Sequence, residues 1–353
     1  MRRRTWAGLL ALALVALMSA QALREPVPYV TFSPGPTVNV LGKSAKSDII
    51  TVSGHKSYRG KGGLRLLTVI PSGPDEKVSI PLLVGAWLDP DRAVYPREAI
   101  YPKTATQKSV REESNQQMTS SKDLAVAAAL GALDIPFKTG VQVAQVEKGG
   151  PADGKLKRGD VLVAVDGKLV RSLEQLTGII RPKPVGSEVR VKVKRNAKVV
   201  EKLLTTTTST ADPKDSAVRI AIAPCCYDFP FEVKLNLDKN IGGPSGGLMF
   251  AMGIYDLLTP GSLTGGKVIA GTGEIDAQGK VGEIGGIQQK LVGAQHDGAQ
   301  LFLVPAANCA EALDGHYDPD KMRLVEVTTL EEGISDVKAW VKDPDAKLAR
   351  CTK

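Results

Sequence analysis

The hydrophobic pattern divides the chain into four stretches. From Thr5 to Met18 nearly every position is apolar, directly after the basic cluster Met1-Arg2-Arg3-Arg4. A charged start followed by such a block directs a chain into a membrane and leaves the remainder outside. Ser19-Ala20-Gln21-Ala22 has the small residues of a signal-peptidase site, and the block extended to Leu23 is near the length that spans a bilayer. Residues 1–25 are read as an N-terminal hydrophobic helix that anchors the chain at the outer face of the cell membrane, with cleavage and secretion as the alternative.

Residues 26–122 read as β-rich: short apolar runs such as Leu64 to Ile70 and Pro81 to Gly85 are broken by turn residues at Ser33-Pro34-Gly35-Pro36 and Gly60-Lys61-Gly62-Gly63. A polar run, Lys103 to Lys122, precedes Asp123 to Leu130, which has helical composition and Ser120 or Ser121 near its start as a cap. Residues 123–208 continue from that helix into a strand at Val141 to Val146 and a break at Gly149-Gly150-Pro151. Asp166-Gly167 is a hairpin turn, because both central residues of such turns need positive φ. A short amphipathic helix, Ser172 to Ile180, and an alternating strand, Glu188 to Val193, complete the stretch. Thr205 to Ser209 and Asp212-Pro213-Lys214-Asp215 form a polar linker into the last stretch, 209–353, with strands predicted at Val218 to Ala223 and Phe231 to Leu237. The pieces on either side of 123–208 lack separate cores and could close one sheet together. The fold class is α+β.

With 353 residues, 42% of them hydrophobic, the chain is long enough for two domains with cores. The net charge of +8 is scattered, without a basic run or interleaved aromatics, which argues against nucleic acid as a partner and suits a surface beside anionic lipids or wall polymers. Four cysteines in an exported chain favour disulfides. Cys225 and Cys226 are adjacent and bond each other with difficulty, so the economical arrangement pairs each with Cys309 or Cys351; partly free, buried thiols are the alternative.

Two elements carry candidate chemistry. Ile241-Gly242-Gly243-Pro244-Ser245-Gly246-Gly247 opens an apolar helix, Leu248 to Leu258, with Pro244 suited to its first turn. Ser245 would stand at a helix N-terminus, where backbone N–H groups of the Gly243-Pro244-Gly246 turn favour a developing oxyanion. By itself this could equally be a capping serine. The second element is a helix with the apolar stripe Ile287, Leu291 and Ala294, in which Lys290 takes the remaining place. A lysine there either snorkels outward or is desolvated; a desolvated amine loses its proton near neutral pH and can act as a base.

The segment GVQVAQVEKGGPADGKLKRGDVLVAVDGKLVRSLEQL, residues 140–176, resembles the bacterial PDZ domain. The resemblance implies an inserted, mostly β domain with a groove in which a peptide adds as an extra strand, read here onto Leu133, Ile135, Gly140, Val141 and Val143. GGPSGGLMFAMGIYDLL with GTGEIDAQGKVGEIGGIQQKLVGAQHDGAQLFLVP resembles the proteolytic domain of the Lon family. Its G-P-S-[AG]-G, T-G-E and G-x-V-x-x-I-G-G motifs fall on Ser245, Thr272 and Gly279 to Gly286, followed by the lysine of a Ser-Lys dyad at Lys290. The resemblance implies acyl transfer with Ser245 as nucleophile, Lys290 as base and Thr272 orienting the lysine. With no ATPase module around the serine and lysine motifs and no zinc-binding motif, the chain is expected, unlike full-length Lon, to act on unfolded or flexible proteins without ATP, cofactor or metal. By analogy it also implies a homo-oligomer, a hexamer. Many family members carry an acid three positions before the serine, where this chain has Gly242; the nearest preceding acid is Asp238. The combination of anchor, PDZ block and Lon-like domain resembles the Lon-like PDZ proteins of Gram-positive and actinobacterial cell envelopes.

Other readings fit less well. A chymotrypsin-like order needs a histidine before the serine, and only His55 precedes it; His296 and His316 suit an α/β-hydrolase order, but Pro244 disfavours a nucleophile elbow. Gly261 to Lys267 nearly spells a P-loop, yet Val268 replaces the Mg²⁺-binding hydroxyl. A non-catalytic envelope scaffold, with the PDZ block binding peptides beside an inactive protease domain, is the alternative from a different class.

Overall fold

Leu301–Pro305 is an unbroken buried run, Leu-Phe-Leu-Val-Pro, which marks a strand covered on both faces. In the computed structural model it lies inside a six-stranded sheet ordered Arg323–Val327, Leu301–Pro305, Val268–Gly271, Gly63–Pro71, Tyr29–Asn39 and Ala93–Pro96. The first four strands run parallel, Tyr29–Asn39 runs antiparallel to them, and Ala93–Pro96 runs antiparallel to Tyr29–Asn39. All residues are described except Met1, Arg24, Ala45, Lys46, Ala211, Lys239, Asn240 and Lys353. Met1 of the basic cluster therefore lies outside the described residues.

The sheet joins residues from both ends of the chain, because Gly63–Pro71 pairs with Val268–Gly271. It belongs to a unit made of Met1–Ile135 and Phe231–Lys353, while Pro136–Pro230 form a second unit. In the first unit, alternate residues of Gly63–Pro71 serve opposite faces of the sheet, as the two-residue period of a strand requires. Leu66 abuts Gly246 at the start of the Gly247–Leu258 helix, whereas Leu67 packs with Ile287 and Leu291 of the Ile287–His296 helix. Gly247–Leu258 is buried at every position except Tyr255, which explains its lack of a polar face.

Several expectations change. The polar run before Asp123 is itself helical: Gln107–Gly131 is one helix, opened by a capping box between Thr106 and Ser109. Its first half is rich in Gln, Glu, Lys and Arg, good helix formers that need no core contact, so the helix starts well before Ser120 and lies in the first compact unit. Pro81 to Gly85, expected as strand, lie in the helix Ile80–Leu88, where proline is tolerated because it falls in the first turn. The N-terminal segment forms a helix, Arg2–Ala22, whose leucines are exposed, among them Leu10 at 66%. Among the described residues, no helix is long and apolar enough to cross a membrane.

The second unit is built on a sheet ordered Lys198–Thr205, Glu188–Arg195, Val161–Val165, Lys138–Val146 and Ile220–Asp228, with Lys168–Leu169 paired to Val161–Val165. Val189, Val191 and Val193 point inward from an otherwise charged strand and meet Leu162, Leu176 and Ile180. Asp166 and Gly167 both have positive φ, at 48° and 80°. The supposed linker after Thr205 is a hairpin: Thr207–Thr208 pairs with Ser216–Ala217. The compact unit runs on to Pro230.

The cysteine expectation is overturned. Cys309 bonds to Cys351, while Cys225 and Cys226 are free and sit on the Ile220–Asp228 strand of the other unit. A bulge and a left-handed backbone at Cys226 bring the two thiols side by side, with their Sγ atoms 2.6 Å apart. Burial and the neighbouring thiol push the Cys225 pKa up to about 12.

Candidate active site

The site forms at the carboxyl end of the Val268–Gly271 strand, where parallel sheets commonly leave a crevice. The chain leaves the strand at Thr272, whose hydroxyl donates to the Ser245 carbonyl at 3.0 Å; the Gly273 N–H donates to the same carbonyl at 2.9 Å. These bonds fix the turn carrying Ser245. Thr272 Oγ1 in turn accepts a hydrogen bond from Lys290 Nζ at 3.0 Å. Because the Thr272 proton is already committed to Ser245, the direction of the lysine contact is set, and one N–H of Lys290 is held while the rest of the nitrogen stays available.

Lys290 is only 2% exposed. Burial lowers its pKa to about 7, against the opposing pull of the Glu274 and Glu311 carboxylates. Snorkelling does not occur: Lys290 is buried with Ile287, Leu291 and Ala294 on a helix that starts from a left-handed Gly286, where a Cβ would crowd Val69 at 2.9 Å. Ser245 and Lys290 line one cleft of about 870 Å³, together with Asp238, Glu274, Met118 and residues of the Gly63–Pro71 strand.

The serine turn is wedged between elements. The Gly243 N–H donates to Ser114 O, and Ser121 Oγ donates to Pro244 O, so the Gln107–Gly131 helix braces it from one side. On the other side a Cβ at Gly246 would lie 2.2 Å from Leu66 Cδ1, so any side chain there must displace the Leu66 methyl. This corrects the expected oxyanion donors. Pro244 has no N–H and Gly243 has spent its own, which leaves the amides of Gly246 and Ser245 without an acceptor among the described residues. The helix begins at Gly247 with Gly246 as its N-cap, so Pro244 is not in its first turn.

Ser114, Ser121 and Glu311 were not foreseen, because their link to Ser245 or Lys290 crosses long sequence separations. Glu274 lay inside the T-G-E motif without a role. No histidine lines the cleft: His55 stacks against Phe231, His316 bonds Asp91, and His296 is exposed. Lys267 of the P-loop-like segment lies 4.1 Å over the Trp340 ring.

Comparison with known families agrees with both blocks. Residues 239–337 match the Lon protease (S16) C-terminal proteolytic domain, and residues 111–206 match the PDZ domain. The chain carries a Lon-type proteolytic domain and a PDZ domain. It is 27% identical over 191 residues to Lon protease 2 of Bacillus subtilis (strain 168), covering 53% of this chain and 31% of that protein. It is 33% identical over 123 residues to Lon protease of Neorickettsia sennetsu (strain ATCC VR-367 / Miyayama), covering 31% of this chain and 14% of that protein. The chain thus spans less than a third of the length of these relatives. Among solved structures, the PDZ domain of the SdrC-like protein from Listeria monocytogenes is similar at 25% identity, covering 24% of this chain and 86% of that one, with a TM-score of 0.22.

Within the PDZ unit the sequence expectation for the groove is overturned. Gly140, Val141 and Val143 lie on Lys138–Val146, which is paired on both sides, by Val161–Val165 and Ile220–Asp228, so no peptide strand can add there. Val141 and Val143 are core residues, and Leu133 and Ile135 precede the unit. Of the two sheet edges, Lys198–Thr205 and Ile220–Asp228, the second lies beside the Leu173–Ile180 helix. A cleft of about 500 Å³ lies beside its first residues and is lined by Leu173, Leu176, Thr177 and Ile180 of the Leu173–Ile180 helix.

Proposed function

We propose that this protein is a serine endopeptidase in which Ser245 is the nucleophile and Lys290 the general base. The observation that carries the reading is a buried lysine, with its pKa lowered to about 7 and tethered through Thr272 to the serine turn, in the same cleft as the serine. Neutral Lys290 takes the Ser245 hydroxyl proton as Oγ attacks a peptide carbonyl. The amides of Gly246 and Ser245 receive the resulting oxyanion. The lysine then gives its proton to the departing amine, leaving an acyl-enzyme that water hydrolyses by the reverse sequence.

Substrate segments reach the cleft as flexible chain, and the reaction needs no ATP. The PDZ unit captures peptides as an added strand on Ile220–Asp228, with side chains seated against the Leu173–Ile180 helix. The Arg2–Ala22 helix holds the chain at the outer face of a membrane, a setting in which the Cys309–Cys351 disulfide is at home. The test is cleavage of a denatured protein by the full chain, with and without ATP, beside Ser245→Ala and Lys290→Met. Activity indifferent to ATP and absent from both variants supports the dyad. Activity that survives Lys290→Met refutes the lysine base, and absence of activity in every form favours the non-catalytic scaffold.

A further inference from the structure

Between Val78 and Leu88 the chain carries no charge, yet most of this run is on the surface. The Ile80–Leu88 helix exposes Leu82 and Val84 at 45%, Leu88 at 70% and Trp87 at 76%, burying only Ala86. A soluble helix normally turns such a face inward, so this one is missing a partner. Its position says which. Pro26–Val27 pairs with Val78–Ser79, so Pro26 lies opposite Ser79, the residue at the N-cap position of the helix. Pro26 is four positions on from Ala22, where the apolar Arg2–Ala22 helix ends. At about 3.5 Å per residue Pro26 lies within roughly 14 Å of that end, and the start of the Ile80–Leu88 helix, one strand spacing and one residue further, within roughly 23 Å.

We infer that Ile80–Leu88 is a second membrane contact, a short helix lying in the lipid interface beside the end of the membrane-associated N-terminal helix. The inference rests on the anchored reading of that helix. An uncharged apolar face tipped by a tryptophan is the chemistry of the headgroup boundary, where an indole keeps its ring in the acyl region and its N–H in water. Two neighbouring contacts would hold the first unit in one orientation on the membrane, which a single flexible tether could not do.

The test uses the full chain in phospholipid vesicles brominated either near the headgroup or near the chain terminus. Trp6→Phe leaves Trp87 as the exposed reporter and Trp87→Phe leaves Trp6; Trp340, 5% exposed, is a constant background measured in the double variant. Trp87 is expected to lose roughly half of its emission, more to the shallow bromines than to the deep ones, as an interfacial residue does. Leu88→Glu is expected to abolish that quenching. If Trp6 is quenched and Trp87 is not, the anchor stands and the interfacial helix is wrong. If neither is quenched, both are wrong. If Leu88→Glu instead dissociates an oligomer while Trp87 stays unquenched, the apolar face belongs to a second copy of the chain and the lipid assignment is overturned.

Discussion

Replacing Lys290 by methionine should abolish cleavage and at the same time stabilise the folded chain at neutral pH. Unfolded, the amine has its ordinary pKa of 10.5; folded, about 7. Between those values the unfolded chain binds more protons, so stability rises with pH across that window, and the penalty is full below pH 7 and gone above 10.5. At about 1.4 kcal/mol per pH unit the whole penalty is about 5 kcal/mol. Water reaching the ammonium trims it, so a change of about 2 kcal/mol or more is expected. Methionine fills the same space without a charge and has no such dependence. The assay is urea unfolding of Ser245→Ala and Ser245→Ala/Lys290→Met at pH 6, 8 and 10, followed through the buried Trp340. The advantage of the methionine form should be greatest at pH 6 and fade by pH 10. A pH-independent difference would show that Lys290 keeps an ordinary pKa, and the base assignment would go with it.

Thr272→Val removes the acceptor that holds Lys290 and the donor to Ser245, and should lower the cleavage rate roughly tenfold, with the rate's pH midpoint displaced from about 7; an unchanged pH profile would count against a positioning role. Reducing the Cys309–Cys351 bond should lower stability by about 2–4 kcal/mol, and peptide mapping of the unreduced protein should find that pair linked, with alkylation confined to Cys225 and Cys226. Leu173→Glu alters a residue 53% exposed at the edge of the PDZ cleft, so it should weaken peptide binding in a fluorescence titration while leaving cleavage of short peptides unchanged; equal binding would place the peptide elsewhere.

Much of the local chemistry was legible in the residue order. The Gly-Pro-Ser-Gly-Gly turn, the lysine in an apolar stripe and the Asp-Gly hairpin are short-range patterns, because turn geometry and helix periodicity are set by neighbours a few positions apart. The paired sulfurs of Cys225 and Cys226 escaped that logic, since adjacent strand residues normally point to opposite faces and only a bulge at Cys226 turns them together. The PDZ edge was misread for a related reason: Lys138–Val146 has the right alternation for an outer strand, but the strand that returns at Ile220–Asp228 covers it. Whether Lys290 snorkels or is buried could not be decided from its stripe. Burial came from the packing of two helices on opposite faces of a sheet built from both ends of the chain, which brings Thr272, Glu274 and Glu311 around the amine. Residue order set which groups could react; packing set which of them lose water, and desolvation is what changes a lysine from a cation into a base.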